Sequence, residues 1–235
     1  MIIGQNFRMH VASEAELAQA YDIVYETRAL DPDEVGFYRR IVGMVQPYVA
    51  SGEFLDISCG LGHLVFFAKE NGYKAYGIDI SSKAIEIARE SYPACEFLIG
   101  SAENLPFADE SFDVITNLGS LEHYLDMEKA IRDSARVLKK EGIVVYMMPN
   151  QYFLPTIIRV LLTGKANDKV QPIERFATKL EWAELLEANG LKVELIGKYN
   201  IRFSNKGILG HLYNILRYTI PRNLSWHFIY FCRKA

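Results

Sequence analysis

The sequence predicts an α/β fold in which parallel strands alternate with helices, and three observations carry that prediction. Phe54-Leu55-Asp56-Ile57 is a short apolar run that breaks into the small residues Ser58-Cys59-Gly60-Leu61-Gly62 and continues as a helical pattern over 61–71, the strand, turn and helix of a nucleotide-binding corner. A second strand-like run follows at 74–78, and helix and strand patterns then alternate to residue 148. Residues 142–148 are apolar on both faces, as a central parallel strand should be. At 235 residues, half of them hydrophobic, the chain suits one α/β domain with an elaboration.

Taken in order, Ser13 followed by Glu14 and Glu16 marks a helix start, with Leu17, Tyr21, Val24 and Tyr25 at helical spacing behind it. Asp31-Pro32-Asp33-Glu34 starts a second helix whose apolar face is Phe37, Ile41 and Val45, closed by Pro47 and Gly52. Ser82 caps a helix through Glu90, after which Phe97-Leu98-Ile99 is a short buried strand. Asp109-Glu110-Ser111 is a turn before a strand at 112–116, where Asp113 sits at the end far from the ligand edge and reads as structural. Asp126 caps a helix expected to run to Lys140, before the strand at 142–148.

Small residues at the carboxyl end of a strand let backbone amides approach a ligand. A dinucleotide fingerprint would need a glycine at position 65, where Val65 stands, and a P-loop would need Gly-Lys-Ser/Thr where His63-Leu64 follow. Neither polyphosphate reading fits. Asp56 puts an anion inside the strand end, which repels a pyrophosphate and can receive an ammonium group, directly or through water. Asp79, about 20 residues on, can take both hydroxyls of a ribose. The ligand suggested is a nucleoside carrying an amino acid.

Leu55 to Gly62 resembles the first motif of the class I S-adenosylmethionine-dependent methyltransferases, and Gly77 to Ser81 the end of their second strand. Ser101 to Phe107, Ser111 to Ile115, Leu121-Glu122-His123 and Arg136 to Gly142 continue the series. The resemblance covers roughly residues 50–150. It implies a Rossmann-like, doubly wound, mostly parallel seven-stranded sheet with an antiparallel edge hairpin. It also implies S-adenosyl-L-methionine as cofactor, S-adenosyl-L-homocysteine as product, and no metal. Carried over residue by residue, the cofactor contacts are Asp56, Ser58, Cys59, Gly60 and Gly62 in the loop, then Asp79 and Ile80. Ser101, Ala102 and Glu103 follow, with Asn117 and Leu118 after the fourth strand. In similar enzymes leading helices fold over the cofactor as a lid, which makes Tyr21, Tyr25 and Arg28 candidates for the methionine end. His123 is the candidate general base where the acceptor is a hydroxyl, against a histidine that only shapes its loop.

Two departures stand out. The first glycine of the family loop is Ser58, which keeps the turn if its φ is negative, and the acidic residue often found before Ala102 is Ser101, whose hydroxyl accepts from an adenine amino group without charge.

After Asn150 the pattern changes. Residues 152–162 are strongly apolar with the single charge of Arg159, and 207–218 add a second apolar, basic helix; neither is long enough to cross a bilayer. Lys179–Ala188 reads as an amphipathic helix, with strands at 191–196 and 226–232. The expected organisation of 1–235 is a single domain, with leading helices at 1–50, a cofactor-binding core at 51–150 and acceptor-binding insertions with the last strands at 151–235. The net charge of −3 is unevenly spread: 1–150 carry 13 Lys/Arg against 23 Asp/Glu, and 151–235 carry 13 against 6.

The flanks must therefore choose the acceptor. One reading is a small lipophilic molecule with Tyr152, Phe153 and Ile157 lining its pocket, and with Lys206, Arg217 and Arg222 meeting an anionic head group or an anionic membrane surface. The other packs these helices on the core or on a second subunit as a homodimer. The expected reaction is O-methylation, with a sugar or nitrogen acceptor, or a catalytically silent cofactor-binding module, as alternatives. Nucleic acid is disfavoured by the acidic charge and by the lack of an Asn/Asp-Pro-Pro-Tyr/Phe sequence. Cys59, Cys95 and Cys232 have no zinc-ligand spacing and read as reduced thiols, and the start has no signal-peptide pattern, so the expected location is cytoplasmic, with peripheral membrane contact on the first reading.

Overall fold

A computed structural model of the chain describes residues 4–5, 13–27, 32–165, 172–200, 214–215 and 217–235. Arg28 and most of the insertion expected at 207–218 lie outside the described residues. The elements run β1 (Gly4–Gln5), α1 (Glu14–Thr27), α2 (Pro32–Val45), β2 (Gly52–Ile57), α3 (His63–Glu70), β3 (Tyr73–Asp79), α4 (Ser82–Ser91), β4 (Glu96–Ile99) and β5 (Phe112–Leu118). A 3₁₀ turn at Leu121–His123 leads into α5 (Met127–Val137), β6 (Leu138–Pro149), α6 (Leu154–Thr163), β7 (Arg175–Phe176), α7 (Lys179–Ala188) and β8 (Leu191–Tyr199), and another at Arg222–Leu224 precedes β9 (His227–Lys234).

Seven strands form one sheet in the order β4-β3-β2-β5-β6-β9-β8. β4 through β6 are mutually parallel, and β9 pairs antiparallel with both β6 and β8. This is the expected architecture. The pleat sends Leu55 to one face, against Ile131 of α5 and Trp182 of α7, and Phe54 to the other, against Ile41 of α2, Leu64 of α3 and Ile85 of α4. Both faces are thus covered, which is why the central strands carry apolar residues at consecutive positions.

Several boundaries differ from the sequence reading by a residue or more, and three departures have a clear physical reason. α5 stops at Val137 rather than Lys140, because Leu138 already pairs with Phe112 and Lys139 ties to Asp113 at 2.6 Å. β8 runs on to Tyr199, held by its pairing with His227. β1, paired with β7, has no counterpart in the sequence reading, since two residues carry no periodic signal. Asp113 is structural as expected: besides Lys139 it accepts from the Glu53 backbone N–H at 2.9 Å.

Candidate functional site

The site grows from the junction of β2, β3 and β5. At the end of β2 the chain turns left-handed twice, Ser58 at φ 61° and Gly60 at φ 51°, and Gly62 at φ 80° then starts α3. The condition set from sequence, that serine keeps the turn if its φ is negative, is not met at Ser58: φ is positive and the turn is kept all the same. Its hydroxyl lies 2.7 Å from the Tyr124 Oη, which also accepts from Asn117 Nδ2 at 2.5 Å, so a buried side-chain network holds the turn in place of glycine's freedom. Gly60 does need to be glycine: a Cβ there would fall 2.7 Å from the Tyr25 Oη.

Asp79, at the end of β3, accepts from the Gly60 backbone N–H at 2.8 Å through Oδ2 and from the Ser81 N–H at 2.9 Å through Oδ1. These two bonds fix the carboxylate at the strand end, with an oxygen on each side of the turn. The residue lines a cavity of about 190 Å³ whose floor is the loop Ser58, Cys59 and Gly60. Ile80 and the residues Ser101, Ala102 and Glu103 form one end of the wall; Leu118 and His123 form the other; Tyr21 and Tyr25 of α1 close the top.

Three sequence candidates are not on this wall. Asp56 lies behind the loop, where its Oδ1 accepts from Thr116 Oγ1 at 2.7 Å and burial pushes its carboxyl up to about 7, so an ammonium group in the cavity would not meet it directly. Gly62 sits under Phe97, where any Cβ would be 2.6 Å from the ring. Asn117 is spent inside the network, donating to Tyr124 and accepting from the Leu121 N–H at 3.1 Å.

His123 is placed by its Nδ1, which donates to the Ile173 carbonyl at 2.5 Å; that fixes the tautomer and leaves Nε2 as the acceptor. Burial lowers its pKa to about 4. Glu122 Oε1 stands 3.7 Å from that Nε2, and burial raises this carboxyl to about 8, so both groups are neutral near pH 7. Arg175 spans the underside of the turn, donating to the carbonyls of Glu122 at 3.3 Å and Tyr124 at 2.5 Å. Tyr21 Oη is buried with no hydrogen-bond partner among the described residues, and its ring centre is 6.4 Å from that of His123.

Sequence reasoning missed Leu17, Tyr38, His63 and Tyr124, all on the wall; Gly119 and Ser120, which the sequence places with Leu118 after the fourth strand, are on it as well. Tyr124 could have been suspected only from its place next to His123; its link to Ser58 spans 66 residues. The exposed flank is less as expected: Phe153 and Arg217 are buried, and Arg217 donates to the Asn200 carbonyl and to Tyr218 Oη, so its charge is turned inward. Among the described residues no cluster of His, Cys, Asp and Glu could hold a metal ion.

With this geometry in view, the methyltransferase-domain family matches residues 55–146. The chain is 31% identical over 160 residues to an uncharacterized methyltransferase, YcgJ, of Bacillus subtilis, covering 65% of this chain and 62% of that one. It is 32% identical over 133 residues to a demethylmenaquinone methyltransferase of Thermotoga maritima, covering 56% and 57%. The chain thus spans about half to three-fifths of the length of the curated relatives it matches. Among solved structures, that of the [4+2]-cyclase SpnF superposes with a TM-score of 0.67 at 19% identity, over 96% of this chain and 98% of that one.

Proposed function

Because this chain belongs to the class I S-adenosylmethionine-dependent methyltransferases through residues 55–146, we propose that its cavity binds S-adenosyl-L-methionine and that the enzyme methylates a small lipophilic acceptor. One observation carries the reading: Asp79, tied to Gly60, presents a carboxylate to a cavity whose floor lacks room for a side chain at Gly60. The residues fit the cofactor. Asp79 puts a carboxylate on the wall, a group that accepts from ribose hydroxyls, and Gly60 keeps the adjoining turn free of a side chain beneath Tyr25.

When bound, the cofactor supplies an electrophilic methyl on a sulfonium. The protein's task is to hold donor and acceptor in line and exclude water, which α1 does by lying across the opening with Leu17, Tyr21 and Tyr25. His123 offers an unprotonated Nε2 to an acceptor hydroxyl, but with its pKa held at about 4 it is a weak base at neutral pH. The acceptor is therefore one that ionises readily by itself, a phenol or hydroquinone, and His123 orients it. The anion of such a ring carries charge on oxygen and on ring carbon. Oxygen is the first reading; carbon is the second, favoured by the relative named for demethylmenaquinone.

The acceptor side is apolar and cationic at the surface. Tyr152 is 49% exposed and Ile158 48%, and Leu161 and Leu162 of α6 are each 80% exposed, with Lys165 just beyond them. We propose that this flank rests on an anionic membrane from which the acceptor is drawn. The deciding experiment is turnover with methyl-labelled cofactor against lipophilic phenols and hydroquinones, with the product located by mass and NMR. Binding heat without turnover of any compound would leave a silent module; no binding heat would end the methyltransferase reading.

A further inference from the structure

Glu14 brings an exposed carboxylate from outside every loop motif to Ser101, a residue of the cavity wall. It sits in the first turn of α1, and Glu14, Leu17, Tyr21 and Tyr25 follow the spacing i, i+3, i+7, i+11, which is one stripe of a helix. The last three of these line the cavity. Glu14 Oε1 accepts from Ser101 Oγ at 2.6 Å, and Ser101 is itself a wall residue just past the carboxyl end of β4. A second set of contacts fixes the helix that carries it. Asp22, two turns on, accepts from Ser81 Oγ at 2.6 Å, Ser82 Oγ at 3.1 Å and the Lys83 N–H at 3.0 Å, pinning α1 to the start of α4.

The strand order says what part of the ligand reaches Glu14. With the ribose on Asp79 at the end of β3 and the methyl end towards Leu118 and His123 beyond β5, the base falls over the neighbouring strand on the other side, β4. The hydrogen bonds there are largely assigned. Ser101 gives its hydrogen to Glu14 and accepts from the Glu103 N–H at 3.1 Å; Glu103 Oε1 accepts from the Leu125 N–H at 2.8 Å. A carboxylate only accepts, so Glu14 calls for a donor on the ligand.

We propose that Glu14 recognises the exocyclic amino group of the cofactor's base, and that α1 thereby supplies from a distant part of the chain the carboxylate that position 101 lacks. The assignment rests on the cofactor reading above. It makes base recognition and the seating of α1 one event, because the carboxylate is in place only when the helix is. A base with a 6-oxo group would turn lone pairs towards Glu14 and be disfavoured.

The test is calorimetry with S-adenosylhomocysteine and its 6-oxo analogue, S-inosylhomocysteine, on the full chain. Wild type should prefer the adenosyl compound. Glu14→Gln should weaken that compound about five- to thirty-fold, as loss of a charge-assisted hydrogen bond does, while leaving the inosyl compound within about twofold. Ser101→Asp added to Glu14→Gln should restore the preference. Unchanged affinity in Glu14→Gln, or an equal loss for both compounds, overturns the assignment, the second outcome leaving Glu14 as a mere fastener of the helix. If wild type binds neither compound, the cofactor reading fails first and this assignment with it.

Discussion

At Ser58 the backbone turns through a φ of 61°, where an L-side chain costs roughly 1–2 kcal/mol, while its hydroxyl meets Tyr124 at 2.7 Å. Two substitutions separate these effects, since Ser58→Ala and Ser58→Gly both lose the hydroxyl and only the second relieves the turn. Ser58→Gly should be more stable than Ser58→Ala by about 1 kcal/mol in urea unfolding, with glycine's larger entropy loss offsetting part of the relief. Equal stabilities would mean that the neighbours, not the side chain, set the turn. Asp79 poses the opposite case, one carboxylate serving two backbone amides and the ligand. Asp79→Ala should weaken S-adenosylhomocysteine by about 1–3 kcal/mol through unpaired hydroxyls; unchanged binding heat would put the ribose elsewhere. Asp79 was visible in the sequence through its distance from the glycine loop. The φ of Ser58 was not, because its cause is a tyrosine 66 residues away.

At the scale of elements, strands and helices of the cofactor half were legible from their apolar periods and from caps such as Asp126 before α5, whose side chain accepts from the Lys129 amide. Before α4 the cap is Ser81, accepting from the Ala84 amide, one residue ahead of the Ser82 read from sequence. What could not be read was pairing between distant segments: Leu138 joins a strand because Phe112 is opposite, and Glu14 reaches Ser101 across 87 positions. α6 is a different matter. None of its residues is buried, and a ten-residue helix is marginal in water by itself. Replacing both Leu161 and Leu162 by Glu should therefore change unfolding free energy by less than about 0.5 kcal/mol, yet abolish flotation with vesicles containing anionic lipid. Wild-type protein that stays behind when such vesicles float would remove the membrane from the proposal.

For the whole molecule, four buried groups set how stability follows pH. Asp56 and Glu122 keep their protons in the fold up to about 7 and 8, against ordinary values of 3.8 and 4.5, so their contribution is full below those ordinary values and is lost as pH rises through the folded ones. His123 and His227 stay neutral down to about 4 and 3, against 6.5, so they weaken the fold as pH falls below 6.5. Between pH 4.5 and 6.5 the two pairs oppose each other and stability is nearly flat. Above 6.5 only the acids still act, and stability should drop by roughly 2–3 kcal/mol by pH 8. Urea midpoints across this range check it, and Glu122→Gln should remove the larger share of the drop; a steady rise towards pH 8 would contradict the buried, protonated state of both acids.

The sheet order carries one more consequence, for synthesis. β9 lies between β6 and β8, yet β8 is made first. While the ribosome is still adding residues 200–226, β8 has no edge to join and α7 is tethered to a loose ribbon. Translation at about 5–20 residues per second leaves that ribbon waiting for seconds, so a slow codon run in this interval would lengthen the time during which chaperones meet an unfinished sheet.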